Sequence, residues 1–322
     1  MNEPVAVIVN TSGGTASSLG DKLEATVRAA FAGQEIDLRL VEGKHITEAV
    51  KAAAGRSVVA IGGGDGTQGS AAATFASSET AQIVLPLGTR NHLAKQLGMP
   101  ADLAEAAKVA VGGKAEQIDL AKGGERVFVN NASIGLYTKL VRERDRRWGP
   151  KWLGTIPATW IVLRTLRAKP MMLCIDGRRE RVVTPLLFIG NNRYSLEAGS
   201  VGQRESLSDG VLSLFVVAQA SPLALIAFAF RALLGKADGE RDFCALADAK
   251  EVVVEGRGAI DVAFDGEVER MALPLTFAIM PGALKVLVPH EAASPDAPPA
   301  GGRERQSLNR LPHRSGEPNS LA

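Results

Sequence analysis

The chain has 322 residues, 46% hydrophobic and 22% charged, an ordinary globular composition that excludes fibrous, collagen-like and fully disordered classes. Lys+Arg 37 against Asp+Glu 35 gives a net charge of +2, far from the excess of a dedicated nucleic-acid binder, so no nucleic-acid partner is expected. There are two cysteines, Cys174 and Cys244, and four histidines without HExxH spacing, which argues against a disulfide scaffold, a Cys-based zinc site and a zinc hydrolase.

At about 150 residues per domain, two domains are expected. The N-terminus, MNEPVAVIVN, has no basic region and runs directly into a strand-like segment, so no signal peptide is expected. Residues 5–9 read as a strand. Residues 17–31 read as a helix, with Leu19, Leu23, Val27 and Ala30 on one face. Strands are then expected at 36–41, 57–61 and 82–87, and helices at 47–54, 67–76, 91–97 and 101–111. This alternation predicts a doubly wound, mostly parallel α/β sheet with helices on both faces over residues 1–128. Ligands bind such sheets beyond the carboxyl ends of the strands.

After Gly112-Gly113 the pattern changes. Strands are expected at 116–121, 127–131, 171–175, 182–189, 211–217, 252–255, 260–264, 275–279 and 284–288, with helices at 135–147 and 154–167. Asp176-Gly177, Asp209-Gly210 and Asp265-Gly266 mark turns between strands. Residues 129–290 therefore read as an antiparallel β-sandwich-like domain whose last strand can return to the first domain. Residues 291–322, rich in Pro, Gly, Ser and Arg, read as a disordered tail. The longest apolar stretch, 222–234, is shorter than the roughly 20 residues of a spanning helix and holds Arg231, so a cytoplasmic protein is expected, with any membrane contact peripheral.

Three polar, glycine-rich turns follow strands of the first domain: Asn10-Thr11-Ser12-Gly13-Gly14, Gly62-Gly63-Gly64-Asp65-Gly66-Thr67 and Pro86-Leu87-Gly88-Thr89-Arg90-Asn91. Glycines let backbone N–H groups approach a phosphate, and a helix N-terminus adds positive potential. Thr67 can cap its helix or bond a phosphate oxygen. One such turn reads equally well as a tight strand-to-helix connection. Three at one sheet edge favour a nucleotide site. The set lacks the Gly-Lys-Ser/Thr of a P-loop and the GxGxxG spacing. His92 beside the third turn reads as a capping or exposed residue.

The ordered motifs Gly63-Gly64-Asp65-Gly66-Thr67, Pro86 to Asn91, Asn131-Ala132-Ser133-Ile134-Gly135, Ser206-Leu207-Ser208-Asp209-Gly210-Val211 and Asp265-Gly266-Glu267 resemble the diacylglycerol kinase catalytic-domain family, over roughly residues 4–290. That family includes bacterial soluble lipid kinases and the sphingosine and ceramide kinases; NAD kinases share its GGDGT core. The resemblance implies ATP held by Asn10, Gly62, Gly63, Gly64, Asp65, Gly66, Thr67, Gly88, Thr89 and Asn91. It implies Glu267 as the acceptor of the hydroxyl proton, with Asp65 as the rival. It implies an Mg²⁺ site made by the Asp209 carboxylate and the carbonyls of Ser206 and Val211, oxygen donors that suit a hard cation. Departures stand at Thr11, where Pro is usual, at Gln68-Gly69-Ser70, where Asn-Glu is frequent, and at His92, where Asp is frequent.

Without the resemblance, Asp265-Gly266-Glu267 reads as a plain hairpin turn and Asp209-Gly210 as a type I′ turn. Arg142, Arg144, Arg146, Arg147 and Lys151, with Trp148 and Trp152, suit an anionic bilayer surface and read equally as a solvated helix end. The expected activity is transfer of phosphate from ATP to a lipid hydroxyl, diacylglycerol first, at a membrane surface. A sphingoid or ceramide acceptor, a soluble acceptor and a silent nucleotide-binding regulator are the alternatives. A homodimer is compatible with the sequence.

Overall fold

Four short β-branched runs build the first sheet: Val5–Asn10 (β1), Ile36–Val41 (β2), Val58–Gly63 (β3) and Ala81–Pro86 (β4), paired in parallel in the order β2-β1-β3-β4. The computed structural model describes residues 3–135, 168–194, 204, 206–217 and 243–290. Between the strands lie helices Gly14–Leu19 (α1), Leu23–Ala30 (α2), Ile46–Ala52 (α3), Asp65–Phe75 (α4), His92–Gln96 (α5) and Leu103–Gly112 (α6). From β1 the chain steps one way to β2, then returns across β1 to β3. Right-handed crossovers place the connecting helices of these opposite steps on opposite faces. Accordingly α2 packs with α6, and α3 with α4. Val7, Ile8, Ile61, Ile83, Leu85, Phe31 and Phe75 are fully buried between the layers. Each such side chain stabilises the fold by about 1.5–3 kcal/mol.

The second half is built from strands Lys114–Gly123 (β5), Arg126–Phe128 (β6), Asn131–Gly135 (β7), Lys169–Ile175 (β8), Arg178–Thr184 (β9), Leu186–Asn191 (β10), Leu212–Val217 (β11), Phe243–Ala249 (β12), Glu251–Glu255 (β13), Ala259–Phe264 (β14), Glu267–Ala272 (β15) and Leu275–Val288 (β16). Six of them form an antiparallel sheet in the order β12-β11-β10-β7-β14-β15. The others extend the first sheet to ten strands through β16, β13, β8 and β9, with β5 on β16 and β6 on β5. A second core lies in this half, with Leu173, Val252, Ile134, Leu187 and Leu212 around the rings of Phe128, Phe264 and Phe277. Those rings pack at a tilt, with centroid distances of 5.7 and 6.2 Å. The fold is thus an α/β domain with a mostly parallel sheet, followed by an antiparallel β-sandwich.

Strand β16 connects the two halves of this arrangement. It pairs antiparallel with β13 near its start and with β5 along its length, and parallel with β4 at Val286↔Gln82. Its register shifts between Met280 and Leu284, where Gly282 has φ 58°. The two separate strands expected at 275–279 and 284–288 are therefore one bent strand.

Other boundaries differ for local reasons. The single helix expected at 17–31 is broken into α1 and α2 by Gly20, at φ 51°, and a 3-10 turn over Gly20–Lys22. The single strand expected at 182–189 is two strands in different sheets, β9 and β10. Pro185 has no N–H to continue a ladder, and Thr184 Oγ1 donates instead to the Leu186 carbonyl at 2.8 Å. Strands β12 and β15 fall outside the expected strand ranges. The sequence of β15, EVERMA, carries three charges and lies on a sheet edge, so it lacks an apolar alternation. The helices expected at 154–167 and, beyond Gly135, at 135–147 lie outside the described residues. So do the 222–234 stretch, the Arg/Trp cluster and the tail from 291.

Candidate active site

The three glycine-rich turns end β1, β3 and β4, which are neighbours in the sheet, so all three meet at its carboxyl edge. They touch backbone to backbone. A Cβ on Gly14 would lie 2.6 Å from the Leu87 carbonyl oxygen, and one on Gly88 would lie 2.2 Å from Gly64 Cα. Only a residue without a side chain fits at these contacts. Side chains fix the same geometry. Asn10 Nδ2 donates to Thr67 Oγ1 at 2.8 Å, and Asn10 Oδ1 accepts from the Ser12 N–H at 2.9 Å. Asn91 Oδ1 accepts from the Gly88 N–H at 2.9 Å, while its Nδ2 donates to the carbonyls of Pro86 and Gly88. Asn91 itself adopts φ 52°, a left-handed conformation that asparagine tolerates.

Between the turns opens a cleft of about 340 Å³. Asn10, Gly64, Gly66, Thr67, Gly88, Thr89 and Glu267 all line it, joined by Ser12, Gly13, Gly14, Gly43, Ile46 and Ser70. Gly62 and Gly63 do not line it. Gly62 lies against Leu87 and Val9 beneath the turn, where a Cβ would come within 2.9 Å of both. Asn91 and the Asp65 side chain are also outside the lining, and both brace it. Helix α4 starts at Asp65, with Gly64 as its N-cap, so Thr67 is not the cap; its hydroxyl serves as the acceptor for Asn10. Asp65 Oδ1 accepts from the Leu93 N–H at 3.3 Å, which ties the first turn of α4 to the start of α5. Of the sequence departures, Ser70 faces the cleft. Gln68 faces the core, donating to the Ile61 carbonyl and accepting from Gln82. His92 is exposed.

Glu267 reaches this cleft from the other half of the chain. Asp265-Gly266, with φ 47° and 92°, forms the two-residue turn between β14 and β15, and Glu267 pairs with Phe264 directly after it. A Cβ on Gly66 would lie 3.9 Å from Glu267 Oε1, so the carboxylate faces the N-terminal turn of α4. The Glu267 side chain is 65% exposed and paired with Arg126 Nη2 at 2.6 Å. Arg126 Nε also approaches Glu269 at 3.2 Å.

Asp265 has a different task. Its carboxylate accepts the N–H groups of Val129 at 2.8 Å, Asn130 at 2.8 Å and Asn131 at 3.0 Å. Burial pushes its carboxyl pKa up, opposed by these three N–H groups and by Arg204. The crossover into the second half is thereby fastened to the turn that carries Glu267.

The loop proposed for a metal lies elsewhere: Ser206, Asp209 and Val211 do not line the cleft. Gly210 alone of its Asp-Gly pair has positive φ, at 69°, so the pair is not a type I′ turn. Asp209 Oδ2 accepts from the Arg193 N–H at 3.1 Å, and the Val211 carbonyl from the Asn192 N–H at 2.9 Å. Both are oxygen acceptors of the kind a hard cation takes. Among the described residues no cluster of three His, Cys, Asp or Glu side chains forms a ready metal site. Beneath the loop, Asp119 accepts the N–H groups of Gly210 and Gly282, each at 2.7 Å.

Residues 4–123 match the diacylglycerol kinase catalytic domain, and residues 142–288 match the YegS C-terminal NAD kinase beta sandwich-like domain. A diacylglycerol kinase of Mycobacterium tuberculosis is 30% identical over 257 residues, covering 77% of this chain and 82% of that protein. The chain belongs to the diacylglycerol kinase catalytic-domain family. A Pseudomonas aeruginosa member named "Probable lipid kinase YegS-like" is 29% identical over 289 residues, covering 84% of this chain and 91% of its own. The crystal structure of a diacylglycerol kinase from Bacillus anthracis shares the fold, with a TM-score of 0.63, 22% identity and coverage of 89% and 97%. This family member is therefore a lipid-kinase-type phosphotransferase. Among its described residues no helix is long and apolar enough to cross a membrane.

Sequence reading missed several residues of this kinase fold. Asp119 interrupts the apolar run Ile118-Asp119-Leu120 and is only 3% exposed, and a buried carboxylate in a strand needs partners. Ser70 carries no signal beyond proximity to a motif, and Gly43 carries none. Arg204 falls between strands, and nothing in its spacing announces burial.

Proposed function

We propose that this chain transfers the γ-phosphoryl group of ATP to a lipid hydroxyl, with diacylglycerol as acceptor and phosphatidic acid as product. The observation that carries the reading is the facing of Glu267 Oε1 and Gly66 across one cleft, with the three turns around it. Backbone N–H groups of the turns and the N-terminus of α4 receive the phosphates. Phosphoryl transfer asks chiefly for charge stabilisation and in-line positioning. Glu267 accepts the proton of the attacking hydroxyl, held in orientation by Arg126. Mg²⁺ entering with the nucleotide would supply charge neutralisation for the phosphates. Asp65, whose side chain lies outside the cleft lining in this structure, would be the carboxylate that engages it. Asp209, with the carbonyls of Ser206 and Val211, would hold a second ion that stiffens the loop after Arg204. The lipid approaches from a membrane surface.

A soluble acceptor is the second reading, because the matched C-terminal domain is described as NAD kinase beta sandwich-like, a likeness of fold. Radiolabelled phosphate transfer from ATP to a panel of mixed-micelle lipids, with Mg²⁺ and with chelator, separates the two. Labelled phosphatidic acid formed only with Mg²⁺ supports the first reading and names the acceptor. Absence of any labelled lipid, with nucleotide binding intact, sinks it in favour of a soluble acceptor or a silent nucleotide binder.

A further inference from the structure

Arg204 is a charged side chain only 9% exposed, so its guanidinium must be met by acceptors inside the protein. Nη1 donates to the carbonyls of Val129 at 2.7 Å and Asn191 at 3.3 Å. Nη2 donates to Asn130 Oδ1 at 3.0 Å and to Gln96 Oε1. The ring of Tyr194 lies 5.9 Å from the guanidinium, and its hydroxyl donates to the Asn130 carbonyl at 2.9 Å. The crossover 129–131 is thus gripped from two sides. Asp265 takes its N–H groups; Arg204 and Tyr194 take its carbonyls and the Asn130 side chain.

Both ends of this grip lead to the cleft. Asp265 opens the turn that presents Glu267. Gln96 closes α5, the helix that follows the Gly88–Asn91 turn and whose Leu93 N–H is held by Asp65. We propose that Arg204 is a positioning residue for phosphoryl transfer, fixing the separation between the phosphate-side turn and Glu267 by joining Gln96 to the 129–131 crossover. The inference rests on the kinase reading above, with Glu267 as proton acceptor. A guanidinium suits the task because its planar fork reaches several acceptors at once, whereas an ammonium is a point charge. Neither Arg204 nor Gln96 lines the cleft, so their effect falls on the geometry of the transfer step rather than on nucleotide contacts.

The test is a double-mutant cycle on lipid phosphorylation. Gln96→Ala and Arg204→Lys are each measured alone and with Glu267→Gln, recording kcat, KM for ATP and Tm. Gln96 is exposed, so its variant answers the question even where Arg204→Lys fails to fold. Gln96→Ala is expected to lower kcat about tenfold with KM for ATP within about twofold, and to lower it less than about twofold once Glu267 is replaced. Unchanged kcat in Gln96→Ala, or the same loss in both backgrounds, overturns the positioning role and leaves the kinase reading standing. A Glu267→Gln enzyme as active as the wild type overturns that reading of Glu267, and this inference with it.

Discussion

Asn10 Nδ2 donates to Thr67 Oγ1 at 2.8 Å, across 57 residues of sequence, and so locks the turn after β1 to the first turn of α4. The bond is partly buried, and both of its residues line the cleft. A neutral hydrogen bond of this kind contributes about 1 kcal/mol. Thr67→Val keeps the shape and removes the acceptor. It is expected to raise KM for ATP by about five- to tenfold, with a small loss of stability. Steady-state kinetics at varied ATP, beside a thermal melt, checks this; an unaltered KM would show that the bond does not shape the nucleotide site.

Gly88 admits no side chain. An added Cβ would lie 2.2 Å from Gly64 Cα and 2.9 Å from the Gly64 nitrogen, and both are backbone atoms that cannot swing aside. Gly88→Ala should therefore push two turns apart, abolish measurable ATP binding and cost about 1–3 kcal/mol of stability. Calorimetric titration with a non-hydrolysable ATP analogue is the direct measurement. Retained wild-type affinity would mean that the close packing of the turns is not what holds the phosphates.

Glu267→Gln preserves size and the two-residue turn but cannot accept a proton. Turnover is expected to fall by about 10²–10⁴-fold while nucleotide affinity is spared. The split between kcat and the dissociation constant is decisive. A parallel fall in ATP affinity would reassign the residue to nucleotide or metal binding.

Asp65→Asn keeps an oxygen that can accept from the Leu93 N–H, so the brace between α4 and α5 survives. What it loses is charge. Both the rate and the affinity for ATP with Mg²⁺ should drop, about tenfold or more each, while Tm stays within a few degrees. Equal kinetics in wild type and variant would confine Asp65 to the structural brace.

Magnesium itself gives a stability test of the loop after Arg204. Any ion bound by the native state alone raises Tm. In the absence of nucleotide, millimolar Mg²⁺ should raise the Tm of the wild type, and Asp209→Ala should abolish the rise. An identical Mg²⁺ response in the two proteins would remove Asp209 from the ligand set.

The parts of this protein legible from sequence were local ones. Hydrophobic period, glycine at strand ends and Asp-Gly pairs act over a few residues, so the α/β half, most of the sandwich strands and the three turns are legible directly. The turn dipeptide at Asp265-Gly266 marks a turn directly before Glu267, although the strand that Glu267 opens has no apolar alternation to announce it. Where an expected element is broken, a single residue outweighs the local pattern: Gly20 splits a helix and Pro185 splits a strand. Tertiary structure alone decided which turns are neighbours, because the order β2-β1-β3-β4 follows from packing helices on two faces of one sheet. It alone brought Glu267 opposite Gly66, returned β16 to the side of β4, and buried Arg204 and Asp265 around the 129–131 crossover. Such pairings join residues scores to hundreds of positions apart, and the preferences of neighbouring residues do not encode them.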